Sequence, residues 1–190
     1  MSPAQLAFGP EFDSTPRHRL FFAIWPDADA IDCLTKLTAR LTQHRMMPGR
    51  PVDPSRLHVT LHHLGDFVDQ IPPSLVPMAG LAAATVRVQP FEIAFDRIGG
   101  TRGQFLLRAS DRLEMLLQFR QTLSSALIKA GLRSRVNPVF NPHMTLSYDF
   151  SDVPEQKIEP ITWTVNKLTL TESLLGKHKH IEQGSWPIEP

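Results

Sequence analysis

With 190 residues and 42% apolar side chains, the chain can bury a sizeable core, and it fits one domain or two small lobes better than two independent domains. A formal net charge of +1 excludes bulk electrostatic capture of duplex nucleic acid. The single cysteine, Cys33, excludes an internal disulfide and a Cys-rich zinc module, and its helical setting reads as an ordinary buried or half-buried thiol. No apolar run approaches the roughly 20 residues of a membrane span, and the start of the chain carries no secretory pattern, so a soluble cytoplasmic protein is expected.

In chain order, residues 1–18 read as a flexible tail ahead of a single domain at 19–190. The apolar run from Leu20 to Trp25 suits a strand buried on both faces. Pro26-Asp27 opens a helix in which Ile31, Leu34, Leu37, Thr38 and Leu41 recur at three- and four-residue steps to about His44. Arg56 to Leu64 reads as a strand ended by Gly65, and Leu75 to Val86 as a helix. Phe91 to Asp96 alternates like a half-buried strand. Gly99-Gly100 and Arg102-Gly103 supply the turn to a hairpin partner, Gln104 to Ala109. Ser110-Asp111 offers a cap for a helix ended by Gly131. Trp163 to Leu170 and Lys177 to Trp186 read as two more strands. The expected class is α+β.

One tetrapeptide occurs twice, as His58-Val59-Thr60-Leu61 and His143-Met144-Thr145-Leu146. With 8 His, 13 Thr and 23 Leu in the chain, chance would supply roughly 0.07 copies, so the pair is not accidental. The offset is 143 − 58 = 85, and adding it to Phe22 and Pro26 lands on Leu107 and Asp111, again mid-strand and helix start. Strand, helix, loop and His-x-Thr strand thus recur in register as one duplicated unit.

Alternation in a strand puts each His and its Thr on one face, with Val59, Leu61, Met144 and Leu146 on the other. Packed about a pseudo-twofold axis, the two units would gather two imidazoles and two hydroxyls around one cleft. One neutral and one charged imidazole can divide a displacement between general base and general acid. Threonine hydroxyls can donate to the non-bridging oxygens of a phosphate. Such a site suits a strained cyclic phosphodiester and needs neither a metal nor a cofactor. On the same alternation His62 falls on the His58 face as a cleft-lining group and His63 on the opposite one. The spacing of His58 and His62 lacks the Glu of a helical zinc pair and lies in strand-like sequence.

These motifs, with Arg19-Leu20-Phe21-Phe22-Ala23-Ile24, Leu57 to Gly65, Phe140-Asn141-Pro142 and Leu168 to Ser173, give the chain a resemblance to a known family. It resembles the 2H phosphoesterases, and among them the LigT-like RNA 2′,3′-cyclic phosphodiesterases, once described as 2′–5′ RNA ligases, over roughly residues 19–188. The resemblance implies a bilobal fold of duplicated β-α-β units, with antiparallel sheets flanking a central cleft. It implies opening of a 2′,3′-cyclic phosphate at an RNA or nucleotide end to a 2′-phosphate. It assigns His58 as proton donor, His143 as proton acceptor, and Thr60 and Thr145 as phosphate-binding hydroxyls. The expected partner is an RNA 3′ end or nucleotide carrying the cyclic phosphate, and the expected state is a monomer.

Three positions depart from the family pattern. Tyr148 stands where an Arg two residues after the second motif is common, His62 and His63 replace a Lys-aromatic pair, and His180 replaces a Tyr. Tyr148 and His180 join His62 as candidate cleft-lining groups. Arg50, Arg56, Arg133 and Arg135 are the candidates to replace the missing cation. Of the other basic strings, 17–19 and 133–135 read as solvated faces, whereas 177–180 fits a substrate-facing strand and a solvated edge equally. Trp25, Trp163 and Trp186 read as core. Two alternatives to cyclic-phosphate hydrolysis stand beside it: hydrolysis or ligation of a 2′–5′ linkage at the same site, and a non-catalytic RNA-end-binding module.

Overall fold

The computed structural model describes residues 14–101 and 103–189; most of the expected tail at 1–18 lies outside them. The elements are β1 (His18–Ile24), α1 (Ala28–Gln43), β2 (Val59–Phe67), α2 (Leu75–Ala83), β3 (Phe91–Thr101) and β4 (Gln104–Arg108). They continue with α3 (Glu114–Lys129), β5 (Met144–Ser147), β6 (Gln156–Val165), β7 (Lys167–Leu174) and β8 (Lys179–Pro187). Among the described residues no helix is long and apolar enough to cross a membrane.

The strands form one antiparallel sheet in the order β6-β3-β4-β5-β2-β1-β7-β8. It divides into two four-stranded halves that meet at β5 and β2, where, among the described residues, the one registered pair is Val59 with Met144. The strand–helix–strand units β1-α1-β2 and β4-α3-β5 occupy equivalent places. Each even has a short 3-10 helix before its second strand, at Pro54–Arg56 and Arg133–Arg135. The duplication read from the sequence is therefore a duplication in space.

Asn166 alone separates β6 from β7, although these strands are far apart in the sheet order. Consecutive Cα atoms lie about 3.8 Å apart, so the sheet must curl until these distant strands come together. The Ile188 amide donates to the Asn166 carbonyl at 2.8 Å, extending the β7–β8 ladder to this junction. The single strand expected over 163–170 is thus two strands, one in each half.

Local chemistry explains most element ends. Asp27 caps α1 by accepting from the Ala30 amide at 2.9 Å, and Leu34, Leu37 and Leu41 bury the inner face. Cys33 lies on the outer face, exposed rather than buried. Ser110 does not cap α3: its amide and hydroxyl both donate to Asp96, and the helix starts at Glu114. Gly99 and Gly100 pair with Leu106 and Phe105 inside the hairpin ladder rather than forming its turn. Gly65 does not end β2 either, because the ladder to β1 resumes past a bulge and Leu20 pairs with it. At the N-terminal end, the Arg17 amide donates to the Phe67 carbonyl and His18 opens β1.

Candidate active site

The Val59–Met144 pair sets the geometry of the site. Continued one residue to either side, this antiparallel register sets His58 against Thr145 and Thr60 against His143. Val59 and Met144 are fully buried, whereas all four flanking residues are half-buried on the other face. Opposed residues lie about 5 Å apart and alternate residues along a strand about 7 Å. The two imidazoles and two hydroxyls therefore surround a space of phosphate size. They line one cavity of about 390 Å³ together with Arg56, Tyr148 and His180.

Each imidazole is fixed in the same way. His58 Nδ1 lies 2.7 Å from the Arg56 carbonyl, and His143 Nδ1 lies 2.7 Å from the Asn141 carbonyl. A carbonyl only accepts, so both Nδ1 atoms carry a proton and Nε2 remains for a ligand. Among the described residues neither threonine hydroxyl has a protein partner, which leaves both hydroxyls for the cavity.

The two histidines differ in their surroundings. His58 stacks on Phe21 with ring centroids 4.8 Å apart, meets Trp25 at 5.0 Å and takes His180 edge-on at 5.2 Å. Burial by this wall pushes its pKa from 6.5 down to about 4; the Arg56 and His143 charges act the same way, and the bond to the Arg56 carbonyl opposes them. Burial, then His58 and Arg56, also pushes His180 down to about 4. The neutral ring is thus favoured at His58 in the empty cleft. Trp25 Nε1, Arg56 Nε and His180 Nδ1 are buried without hydrogen-bond partners along this wall, a concentration of unsatisfied polar atoms typical of a ligand site.

A bulge in each motif strand decides which later residues reach the cleft. Ala23 pairs with Thr60 but Phe22 pairs with His62, so Leu61 is an extra residue in β2. Leu106 pairs with Thr145 but Phe105 pairs with Ser147, so Leu146 is the equivalent extra residue in β5. Each bulge reverses the alternation after the motif. His62, expected in the cleft, turns inward at 2% exposure, and its Nε2 lies 2.9 Å from Ser124 Oγ of α3. His63 lines the cavity instead. Ser147 is likewise buried and Tyr148 likewise lines the cavity, so His62 matches Ser147 and His63 matches Tyr148.

Of the arginines considered for the missing cation, Arg56 lines the cavity and Arg50 lies in an adjoining groove. Arg135 is turned away, donating to the Leu64 carbonyl at 2.9 Å. Arg19, expected on a solvated face, also lines the cavity, but it is held by Asp66 through two 2.8 Å bonds. Asp66 accepts from His63 at 2.7 Å as well, and the bond from Arg19 is the main reason its pKa falls to about 2. Sequence reasoning missed Arg19, His63 and the half-buried Trp25 as site residues; only the bulge places His63 there. Among the described residues no group of three His, Cys, Asp or Glu side chains is arranged to hold a metal.

Comparison with known proteins agrees with this fold. The apo structure of E. coli LigT matches at a TM-score of 0.72 with 24% identity, over 93% of this chain and 100% of LigT. LigT complexed with NADP+ matches at 0.70 with 25% identity over 93% and 100%. A protein of Thermus thermophilus matches at 0.68 with 22% identity over 90% of this chain and 97% of its own. No curated protein matches the chain. The family model described as the 2′-5′ RNA ligase superfamily matches residues 39–177, well over half of the sequence. With the paired His-x-Thr strands and the LigT-like fold, that match makes the chain a member of the 2′-5′ RNA ligase superfamily of 2H phosphoesterases.

Proposed function

We propose that the protein hydrolyses 2′,3′-cyclic phosphate ends of RNA or nucleotides to 2′-phosphates. The observation that carries this reading is the convergence of two His-Thr pairs on one cavity, each imidazole presenting Nε2. Thr60, Thr145 and the Arg56 guanidinium hold the non-bridging oxygens, Arg56 standing in for the cation absent at Tyr148. His143 Nε2 takes a proton from water as the water oxygen bonds to phosphorus. The bond from phosphorus to O3′ breaks, and His58 Nε2 delivers its proton to O3′. The product is a 2′-phosphomonoester beside a free 3′-hydroxyl.

His58 needs its proton before it can give it. Burial disfavours the charged ring in the empty cleft, and a bound phosphodiester anion counters this by pairing with the imidazolium. Substrate binding and charging of the donor are coupled in this scheme. A second reading, joining or cleaving a 2′–5′ linkage, uses the same groups and is favoured by the family match.

The test is hydrolysis of nucleoside 2′,3′-cyclic phosphates and of RNA with cyclic ends, in the presence of chelator, alongside 2′–5′-linked oligonucleotides. A 2′-phosphate product that persists in chelator is expected. Turnover of 2′–5′ linkages alone would replace the first reading with the second. Binding of RNA ends without turnover of either would leave a recognition module.

A further inference from the structure

The catalytic cavity does not end at Tyr148. It continues into a groove of about 780 Å³, and the two share Arg19, Arg56 and Tyr148 as common walls. Beyond those walls the groove is lined by Arg50 and His178. Among the described residues Arg50 makes no hydrogen bond or ion pair. Among the described residues Asp53 is the one carboxylate lining the groove, and it is occupied by the Ser55 amide and hydroxyl.

The two basic side chains stand on constrained backbone. Gly49 has φ +70°, and a Cβ there would lie 2.6 Å from the Tyr148 carbonyl oxygen. On the other side of Arg50, Pro51 bridges to Ser147, and the Val52 amide donates to the Leu146 carbonyl at 2.7 Å. Arg50 is therefore pinned against the edge of β5, immediately beyond the second motif. His178 adopts φ +51°, uncommon for a residue with a side chain, and its Nδ1 lies 3.3 Å from Arg56 Nη1.

We infer that this groove is a second phosphate subsite, in which Arg50 and His178 bind the phosphate immediately upstream of the nucleotide that carries the cyclic phosphate. The inference rests on the proposed function. In a 2′,3′-cyclic end the departing oxygen stays on the terminal ribose, so the rest of a strand leaves that ribose through its 5′ oxygen. A second anion site continuous with the first distinguishes such a substrate from a bare nucleoside cyclic phosphate. An RNA backbone and the 5′-phosphate of a single nucleotide offer the same group at that position.

The experiment compares kcat/KM for a nucleoside 2′,3′-cyclic phosphate, its 5′-phosphorylated form and a short RNA with a cyclic end. Wild-type protein, Arg50→Ala and His178→Ala are assayed with each. The substrates with an upstream phosphate should be favoured by about tenfold or more, as one or two charge-assisted contacts would give. Each variant should erode that preference while leaving the bare nucleoside substrate within about twofold. For single-stranded RNA the salt slope should flatten by roughly 0.7 per lost contact. A 5′-phosphorylated nucleotide that gains as much as RNA assigns the subsite to one phosphate; a gain with RNA alone assigns it to the strand. Equal use of all three substrates by the wild type, or equal losses on all three in the variants, would overturn the inference. Should no substrate turn over, the proposed function fails separately, and binding of 3′-phosphorylated RNA by wild type and Arg50→Ala still decides the subsite: equal affinities reject it.

Discussion

Val59 pairs with Met144, so the middle residues of the two motifs face each other across the seam between the halves. Each is the other's image in the duplication, since 144 − 59 gives the same offset of 85 that separates the histidines. A single buried pair therefore places the four candidate site side chains at once, two on either flank. A one-residue slip of either motif strand would turn that strand's His and Thr toward the core.

Replacing either histidine by alanine should reduce turnover by about 10²–10⁴-fold, the usual contribution of a positioned acid or base. Thr60→Val or Thr145→Val should cost on the order of 10²-fold through loss of a phosphate donor. Steady-state kinetics with a nucleoside cyclic phosphate reads both effects. Full activity in His58→Ala or His143→Ala would remove that residue from the chemistry.

The two pH profiles should separate. A proton donor must be charged, so rate falls as pH rises through its pKa, and for His58 in the free protein that value is about 4. A bound phosphodiester anion raises it. The alkaline limb of kcat/KM, which reports the free protein, should thus lie at lower pH than the limb of kcat. Superimposed limbs would sink the coupling of binding to protonation.

His62 should make the fold acid-sensitive. Ser124 Oγ donates to the Arg120 carbonyl at 2.8 Å, so it accepts from His62 Nε2–H, and the buried Nδ1 has no partner to receive a second proton. Burial first, and the Arg120 charge next, push the His62 pKa from 6.5 down to about 4. Between those values the unfolded chain takes up a proton that the folded one refuses, so stability declines as pH falls from 6.5 to 4. For this ring the decline is at most about 3 kcal/mol. Urea titrations of wild type and His62→Gln across that range should show a flatter dependence in the variant.

Arg120 should prove structurally expensive to lose. Its Nε donates to the Leu61 carbonyl at the first bulge at 3.0 Å, its Nη2 reaches the Asn137 carbonyl, and its guanidinium lies 4.5 Å from the centre of the Phe140 ring. It ties the end of one motif to the loop leading into the other. Arg120→Met leaves the buried Leu61 carbonyl without this donor, unties the Asn137 carbonyl and should cost about 2–4 kcal/mol in urea unfolding. Arg120→Lys should recover little, because an ammonium cannot reproduce the planar fork.

The duplication, both motif strands and most helices are legible in the sequence because apolar period and motif spacing are local signals. The bulges at Leu61 and Leu146 are not, since an extra residue in a ladder is decided by the partner strand. That is why the simple alternation places His62 in the cleft and His63 outside it, the reverse of the structure. Arg19 and Trp25 escape for a related reason: the run from Leu20 to Trp25 reads as uniformly apolar, yet Phe21 lines the cavity, Arg19 precedes it on the same strand and Trp25 packs on His58. The break at Asn166 is equally silent, because Trp163 to Leu170 is good strand sequence throughout.

With only Asn166 between β6 and β7, that connection is too short to let the halves swing apart. The seam at Val59–Met144 joins them at a second place. The Pro51–Ser147 bridge and the Val52–Leu146 hydrogen bond tie them further, so the protein does not open and close as two separate bodies. Its cleft is preassembled, and the speed of capture is set by diffusion and by the charges at the rim rather than by domain motion.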